Sequence, residues 1–81
     1  MTIRVLFFGS LAQDVGAASH GLVLSDNATV ADALDALDKS FDALRRHRAR
    51  LATAVNLEYV GAQHVLNDGD ELALIPPVSG G

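Results

Sequence analysis

The residues whose types and spacing point to a reaction lie at the end of the sequence, in Pro76-Pro77-Val78-Ser79-Gly80-Gly81. Neither proline has an amide hydrogen to donate and both fix φ near −65°, so a strand that runs into them stops pairing and leaves its sheet. From Pro76 to Gly81, at about 3.3 Å per residue when extended, such a tail reaches on the order of 20 Å, enough to enter a partner's cleft. Gly80 and Gly81 lack Cβ atoms and pass through a narrow channel that a bulkier residue would obstruct. The group at the tip is a carboxylate. A frayed terminus is the plain alternative, and the context of the tail has to displace it.

The other chemistry-bearing residues do not assemble into a site by spacing. Cysteine is absent, which removes disulfides, thiolate ligands and a thiol nucleophile. His20, His47 and His64 are far apart and show no metal-ligand spacing, so they are expected at or near the surface. Asp68, Asp70 and Glu71 lack the alternating ligands of a calcium loop, and Asp68-Gly69 is a sufficient turn signal. Ser10 and Ser79 have no His and Asp partners by position, and Gly9 and Gly16 lack the Lys-Ser/Thr of a phosphate loop. Arg45, Arg46, Arg48 and Arg50 cluster around His47 in a chain of net charge −4. Cations are favoured at a helix C-terminus, so a solvated helix end is the default, and a patch for an acidic partner or an anionic ligand is the sharper reading. The net negative charge argues against a general nucleic-acid binder.

The elements that must position the tail fit one small domain, residues 1–75, within 81 residues. No apolar run approaches the roughly 20 residues of a membrane span. Met1-Thr2-Ile3-Arg4 opens directly into a strand pattern and not into a signal peptide, so a soluble, cytoplasmic protein without a membrane partner is expected. Alternation from Thr2 to Phe8 predicts a strand with Ile3, Val5 and Phe7 buried. Ser10, Gln13 and Gly16 read as a short capped helix with Leu11, Ala12 and Val15 inward. His20 to Leu24 forms a second strand. Thr29 caps a helix whose apolar stripe is Val30, Ala33, Leu34 and Leu37; Phe41 and Leu44 extend it, either as one helix or restarted at Ser40. Leu51 to Val60 and a short edge segment His64 to Leu66 add strands, and Asn67-Asp68-Gly69-Asp70 turns into a last strand, Glu71 to Ile75, with Leu72 and Leu74 inward. This order is that of an α+β sheet of about five strands with one main helix on one face.

Val5-Leu6-Phe7-Phe8-Gly9, Ala54-Val55-Asn56, Leu66-Asn67-Asp68-Gly69-Asp70-Glu71 and the terminal Pro76-Pro77-Val78-Ser79-Gly80-Gly81 together resemble the small subunit of molybdopterin synthase. The resemblance covers essentially the whole chain in order and length, with little family-specific signal between Thr29 and Arg50. It implies the ubiquitin-like β-grasp fold, with a mixed sheet.

A carboxylate is a poor acyl electrophile until it is given a better leaving group, which ATP supplies as an acyl adenylate. The resemblance implies that a ubiquitin-activating-like adenylyltransferase adenylates Gly81, with ATP held by that enzyme and no cofactor bound by this chain. A persulfide sulfur donor then converts Gly81 to a thiocarboxylate. The tail, residues 76–81, inserts into the molybdopterin synthase large subunit, in a heterotetramer, and gives its sulfur to cyclic pyranopterin monophosphate to build the dithiolene. Catalytic groups then belong to the large subunit, not to this chain. Strands one and five are neighbours in that fold, so Phe8 and Ile75, both outward by parity, form one apolar patch beside the tail, joined by Tyr59. The alternative is that irregular strand ends bury one or both side chains. Two rival functions use the same Gly81 adenylate: a sulfur carrier for thiazole or another metabolite, and a ubiquitin-like modifier joined to lysines. The Pro-Pro-Val-Ser-Gly-Gly ending favours the molybdopterin branch.

Overall fold

A computed structural model describes residues 1–78. The first strand, β1 (Thr2–Phe7), buries Ile3, Val5 and Phe7 and leaves Thr2 and Arg4 exposed, as its alternation requires. The helix α1 (Gly9–Val15) follows, buries Leu11 and stops at Gly16, whose φ of 83° lets its N–H reach the Ala12 carbonyl. Its start differs from expectation. Ser10 does not cap; the cap position is Phe8, extended and without a side-chain hydrogen bond. Gly9, at φ 54°, already turns the chain into the helix, which leaves Ser10 inside the first turn. The edge strand β2 (Ser19–Val23) then pairs antiparallel with β1.

Thr29 caps α2 (Val30–Ser40) reciprocally: its hydroxyl accepts from the Asp32 amide at 3.2 Å and its own amide donates to the Asp32 carboxylate at 2.9 Å. The stripe Val30, Ala33, Leu34 and Leu37 is buried. The helix does not continue, nor does Ser40 restart it. Phe41 takes one extended residue (φ −133°, ψ 102°) between α2 and α3 (Asp42–His47). That break sets the Phe41 ring edge-on to Phe7 and His20, with centroids 5.6 and 5.0 Å away, and returns Leu44 to the core. One main helix is therefore accompanied by two short ones and a 3₁₀ turn, Arg48–Arg50.

The remaining strands are β3 (Ala52–Val55), β4 (Glu58–Tyr59) and β5 (Glu71–Ile75), and the sheet order is β2-β1-β5-β3-β4. β5 runs parallel to β1 and antiparallel to β3, which makes the sheet mixed, as expected. The stretch from Leu51 to Val60 is a hairpin instead of one strand. Asn56 and Leu57, at φ 50° and 74°, form its turn, the consecutive left-handed pair that suits the twist of two antiparallel strands. His64 to Leu66 is no edge strand either; only Val65 bridges, to Thr29. Its backbone serves the entry to α2, with the Leu66 amide on the Ala28 carbonyl at 2.8 Å and the Val30 amide on the His64 carbonyl at 3.0 Å. Leu66 is thereby inserted into the core.

The two aspartates of the Asn67-to-Glu71 turn are occupied internally. Asp68 accepts from the Thr2 amide at 2.7 Å. Asp70, buried, accepts from the Asn56 side chain at 2.9 Å and the Asn67 amide at 2.8 Å, while the Asn56 side-chain Oδ1 accepts from the Glu71 amide at 3.0 Å. The turn thus joins the start of β5 to the start of β1 and to the β3–β4 hairpin.

Asp70→Ala strips two donors of their acceptor in a buried setting and is expected to cost about 2 kcal/mol, read by urea unfolding; a loss below about 0.5 kcal/mol would show that water replaces the carboxylate without penalty. Gly9→Ala is expected to cost about 1 kcal/mol through its left-handed φ, and to shift the amide signals near Pro76, whose Cγ would lie 3.4 Å from the new Cβ. An unchanged melting curve and spectrum would remove Gly9 from the support of the tail.

Candidate functional site

The parallel register Phe7↔Leu74 brings the exits of β1 and β5 side by side, and the Phe8 amide donates to the Leu74 carbonyl at 3.3 Å. Phe8 and Ile75 consequently leave their strands together. Odd positions of β1 face the helices, so Leu6 and Phe8 belong to the helix-free side of the sheet. The row Leu6↔Ala73↔Ala54↔Tyr59 crosses four strands by register and carries that surface to the far edge.

Phe8, Ile75 and Tyr59 do come together. They line one shallow depression of about 220 Å³ with Leu6, Leu57 and Ala73, Phe8 being 44% and Tyr59 76% exposed. Leu57, 93% exposed, is a member that the sequence reading missed by assigning it to a strand interior. The signal for it was Asn56 before Leu57, since Asn tolerates the left-handed conformation that begins such a turn.

β5 ends at Ile75, where the prolines begin, but the first proline is not part of an exposed tail. Pro76 is buried with its ring near Gly9, and exposure starts at Pro77 and Val78. Counted from Pro77, the five residues to Gly81 would span about 16 Å if fully extended, against about 20 Å counted from Pro76. Ser79, Gly80 and Gly81, the positions to which acyl activation and tail insertion are assigned, lie outside the described residues. A second depression follows the root of the tail along Phe8, Gly9, Ser10, Pro77 and Val78.

On the other flank of the root, Ser10, Asp14, Arg46, His47 and Arg50 border Pro76 and Pro77. The basic cluster is split by function. Arg48 holds Asp35 at 2.7 Å and also Asp38, and these hydrogen bonds, Asp35's first, raise its guanidinium above the ordinary arginine range despite some desolvation. It staples the 3₁₀ turn to α2. His47 Nε2 lies 2.7 Å from Asp14 of α1. Arg45, Arg46 and Arg50 enter no ion pair among the described residues.

Among the described residues, no group of His, Cys, Asp and Glu could hold a metal ion, and no helix is long and apolar enough to cross a membrane. A depression of about 480 Å³ between α2, the 3₁₀ turn and the β3–β4 hairpin is lined mostly by apolar residues such as Val30, Leu34, Leu51 and Val60, together with Arg48 and Tyr59. It lies where α2 packs over the hairpin, and neither Pro77 nor Val78 lines it.

The ThiS family model matches residues 5–81. A molybdopterin synthase sulfur carrier subunit of Chlamydomonas reinhardtii is 37% identical over 100% of both chains. Among solved structures, SAMP1 from Haloferax volcanii, a small archaeal modifier protein, superposes with a TM-score of 0.91 at 34% identity over 100% of both chains. A chain of the complex of subunits 1 and 2 of the molybdopterin-converting factor from Helicobacter pylori superposes at 0.73 with 26% identity, again over 100% of both. The chain belongs to the ThiS family, with the ubiquitin-like β-grasp fold and full-length kinship to the molybdopterin synthase sulfur carrier subunits.

Proposed function

We propose that this chain is the sulfur carrier of molybdopterin synthase, loaded at Gly81 and docked on the large subunit through Phe8, Ile75, Tyr59 and Leu57. The observation that carries the proposal is the junction of β1 and β5, which sets an exposed apolar patch immediately beside the root of a tail ending in Gly80-Gly81. Kinship to named sulfur carrier subunits and to a subunit of a two-subunit converting factor supports the choice of partner.

In the proposed cycle the Gly81 carboxylate attacks the α-phosphate of ATP in a separate activating enzyme, giving an acyl adenylate and pyrophosphate. The terminal sulfur of a persulfide displaces AMP, and a thiol cleaves the remaining S–S bond, leaving a thiocarboxylate. In the large subunit its sulfur attacks the pterin precursor, cyclic pyranopterin monophosphate, and water then cleaves the acyl carbon–sulfur bond, leaving the sulfur on the pterin and returning Gly81 to a carboxylate; a second loaded chain supplies the second sulfur of the dithiolene. The chain supplies reach and docking; the tether raises the local concentration of a reactive sulfur while the cleft keeps water away. Proton-transfer groups belong to the large subunit.

A second reading, a protein modifier joined to lysines through Gly81, is favoured by the superposition on SAMP1. Intact mass spectrometry of the protein isolated from its cells separates the two. Replacement of one oxygen by sulfur marks the carrier; covalent adducts with other proteins mark the modifier.

Reconstitution tests the substrate. Thiocarboxylated protein with the large subunit is expected to convert cyclic pyranopterin monophosphate to the dithiolene, and conversion no better than with free sulfide would reject the sulfur-carrier reading. Removal of Gly81 is expected to abolish conversion and leave binding within about threefold, whereas Phe8→Arg is expected to weaken binding by at least about tenfold in a folded protein, as for a residue central to an interface.

A further inference from the structure

The apolar patch accounts for one flank of the tail root. The other flank is cationic in a chain whose net charge is −4. Arg46, at the end of α3, and Arg50, in the 3₁₀ turn, border the same depression as Pro76 and Pro77. Both are exposed, and neither is in an ion pair among the described residues, unlike Arg48 of the same run. The depression also contains Asp14, but Asp14 is engaged by His47 at 2.7 Å. The helix dipole accounts for a cation at the end of α3, though not for Arg50, which lies beyond that helix.

We propose that Arg46 and Arg50 form a second docking element, which takes an acidic segment of the tail-receiving large subunit as the tail enters; this rests on the sulfur-carrier reading above. Ser10 belongs both to the depression that follows the tail and to the cationic one, so the two flanks form one surface around the root. A partner that encloses the root meets apolar side chains on one side and guanidinium groups on the other. Carboxylates on that second side are the complement that avoids leaving the guanidinium groups unpaired. In a partner that holds the tail extended, the four residues after Pro77 would carry Gly81 about 13 Å onward, so a phosphate at such a tip would not be the anion that these arginines take. The arginines thus orient and accelerate docking, and the tip remains free for chemistry.

The test is the affinity of the full chain for the large subunit, measured at several salt concentrations on both sides of about 0.15 M, where charges more than about 8 Å apart are largely screened. Arg46→Gln/Arg50→Gln is expected to weaken binding at least about fivefold at low salt and to flatten its salt dependence. Arg46→Lys/Arg50→Lys keeps the charges and is expected to stay within about threefold of the unmodified chain. Val23→Glu/Ser25→Glu alters net charge equally at the opposite end of β1 from the tail and is expected to change affinity by less than about twofold. Arg46→Gln/Arg50→Gln binding with unchanged affinity and salt slope, or losing no more than Val23→Glu/Ser25→Glu, overturns the proposal. If Phe8→Arg abolishes binding while the glutamine variant does not, only the cationic element falls. If the unmodified chain fails to bind the large subunit, the sulfur-carrier reading falls and takes this element with it.

Discussion

The parallel pairing of β1 with β5 is the constraint on which the rest depends. It joins the first strand to the last across most of the chain length, and its register from Arg4↔Glu71 to Phe7↔Leu74 determines which side chains lie over the helices. Leu72 and Leu74 meet Val5 and Phe7 in the core, so the pairing closes the hydrophobic cluster as well as the sheet. A slip of one residue would turn the alternation of β5 inside out, exposing Leu72 and Leu74 and burying Glu71. The same register decides where the chain leaves the domain. With β1 and β5 parallel, Phe8 and Pro76 emerge at the same end, and the tail begins beside the apolar patch.

Holding that register requires the other end of the two strands to be fixed, which is the task of the turn from Asn67 to Glu71. Asp68 on the Thr2 amide and the Asp70 carbonyl on the Arg4 amide tie the turn to β1, while the Asp70 carboxylate on Asn56 ties it to the hairpin. Parallel pairing has no hairpin to set its alignment, so side-chain and backbone bonds at the strand entry take over that role. Asp68 and Asp70, which beside Glu71 could suggest a cation site, are therefore a structural clamp whose carboxylates already have protein donors.

Most of the fold was legible in the sequence because its patterns are local. The alternation of Ile3, Val5 and Phe7, the Thr29–Asp32 cap with its stripe, and the inward Leu72 and Leu74 each rest on a period or on a bond between near neighbours. Long-range packing decided the rest. Phe41 breaks a helical stripe that could have run on, because its ring lies against Phe7 and His20 from other strands. Leu66 inserts under α2 and removes the expected edge strand. Pro76 reads as tail by its lack of an amide hydrogen, yet it packs near Gly9, a contact between positions far apart in sequence. Of the candidate surface, the outward parity of Phe8 and Ile75 was legible in strand alternation, while their adjacency and the place of Tyr59 beside them were expected only through the resemblance to a β-grasp fold; Leu57 required the turn geometry, and the split of the arginine run required knowing where Asp35, Asp38 and Asp14 lie.

On the sulfur-carrier reading, one short tail must visit two active sites. On that reading the single tip, Gly81, would be offered first to the activating enzyme and then to the large subunit. If the patch beside the root were to serve both partners in turn, an affinity tight enough to make either complex permanent would stop the cycle. A small apolar patch combined with exposed guanidinium groups suits that requirement. In the proposed docking the charges would raise the rate of encounter through long-range attraction, while the limited apolar area would keep dissociation fast, so specificity need not come with a long residence time. Under the proposed cycle the fold would reconcile two demands on one surface: rigidity at the strand junction, to aim the tail, and modest adhesion around it, to let the loaded chain leave one partner for the next.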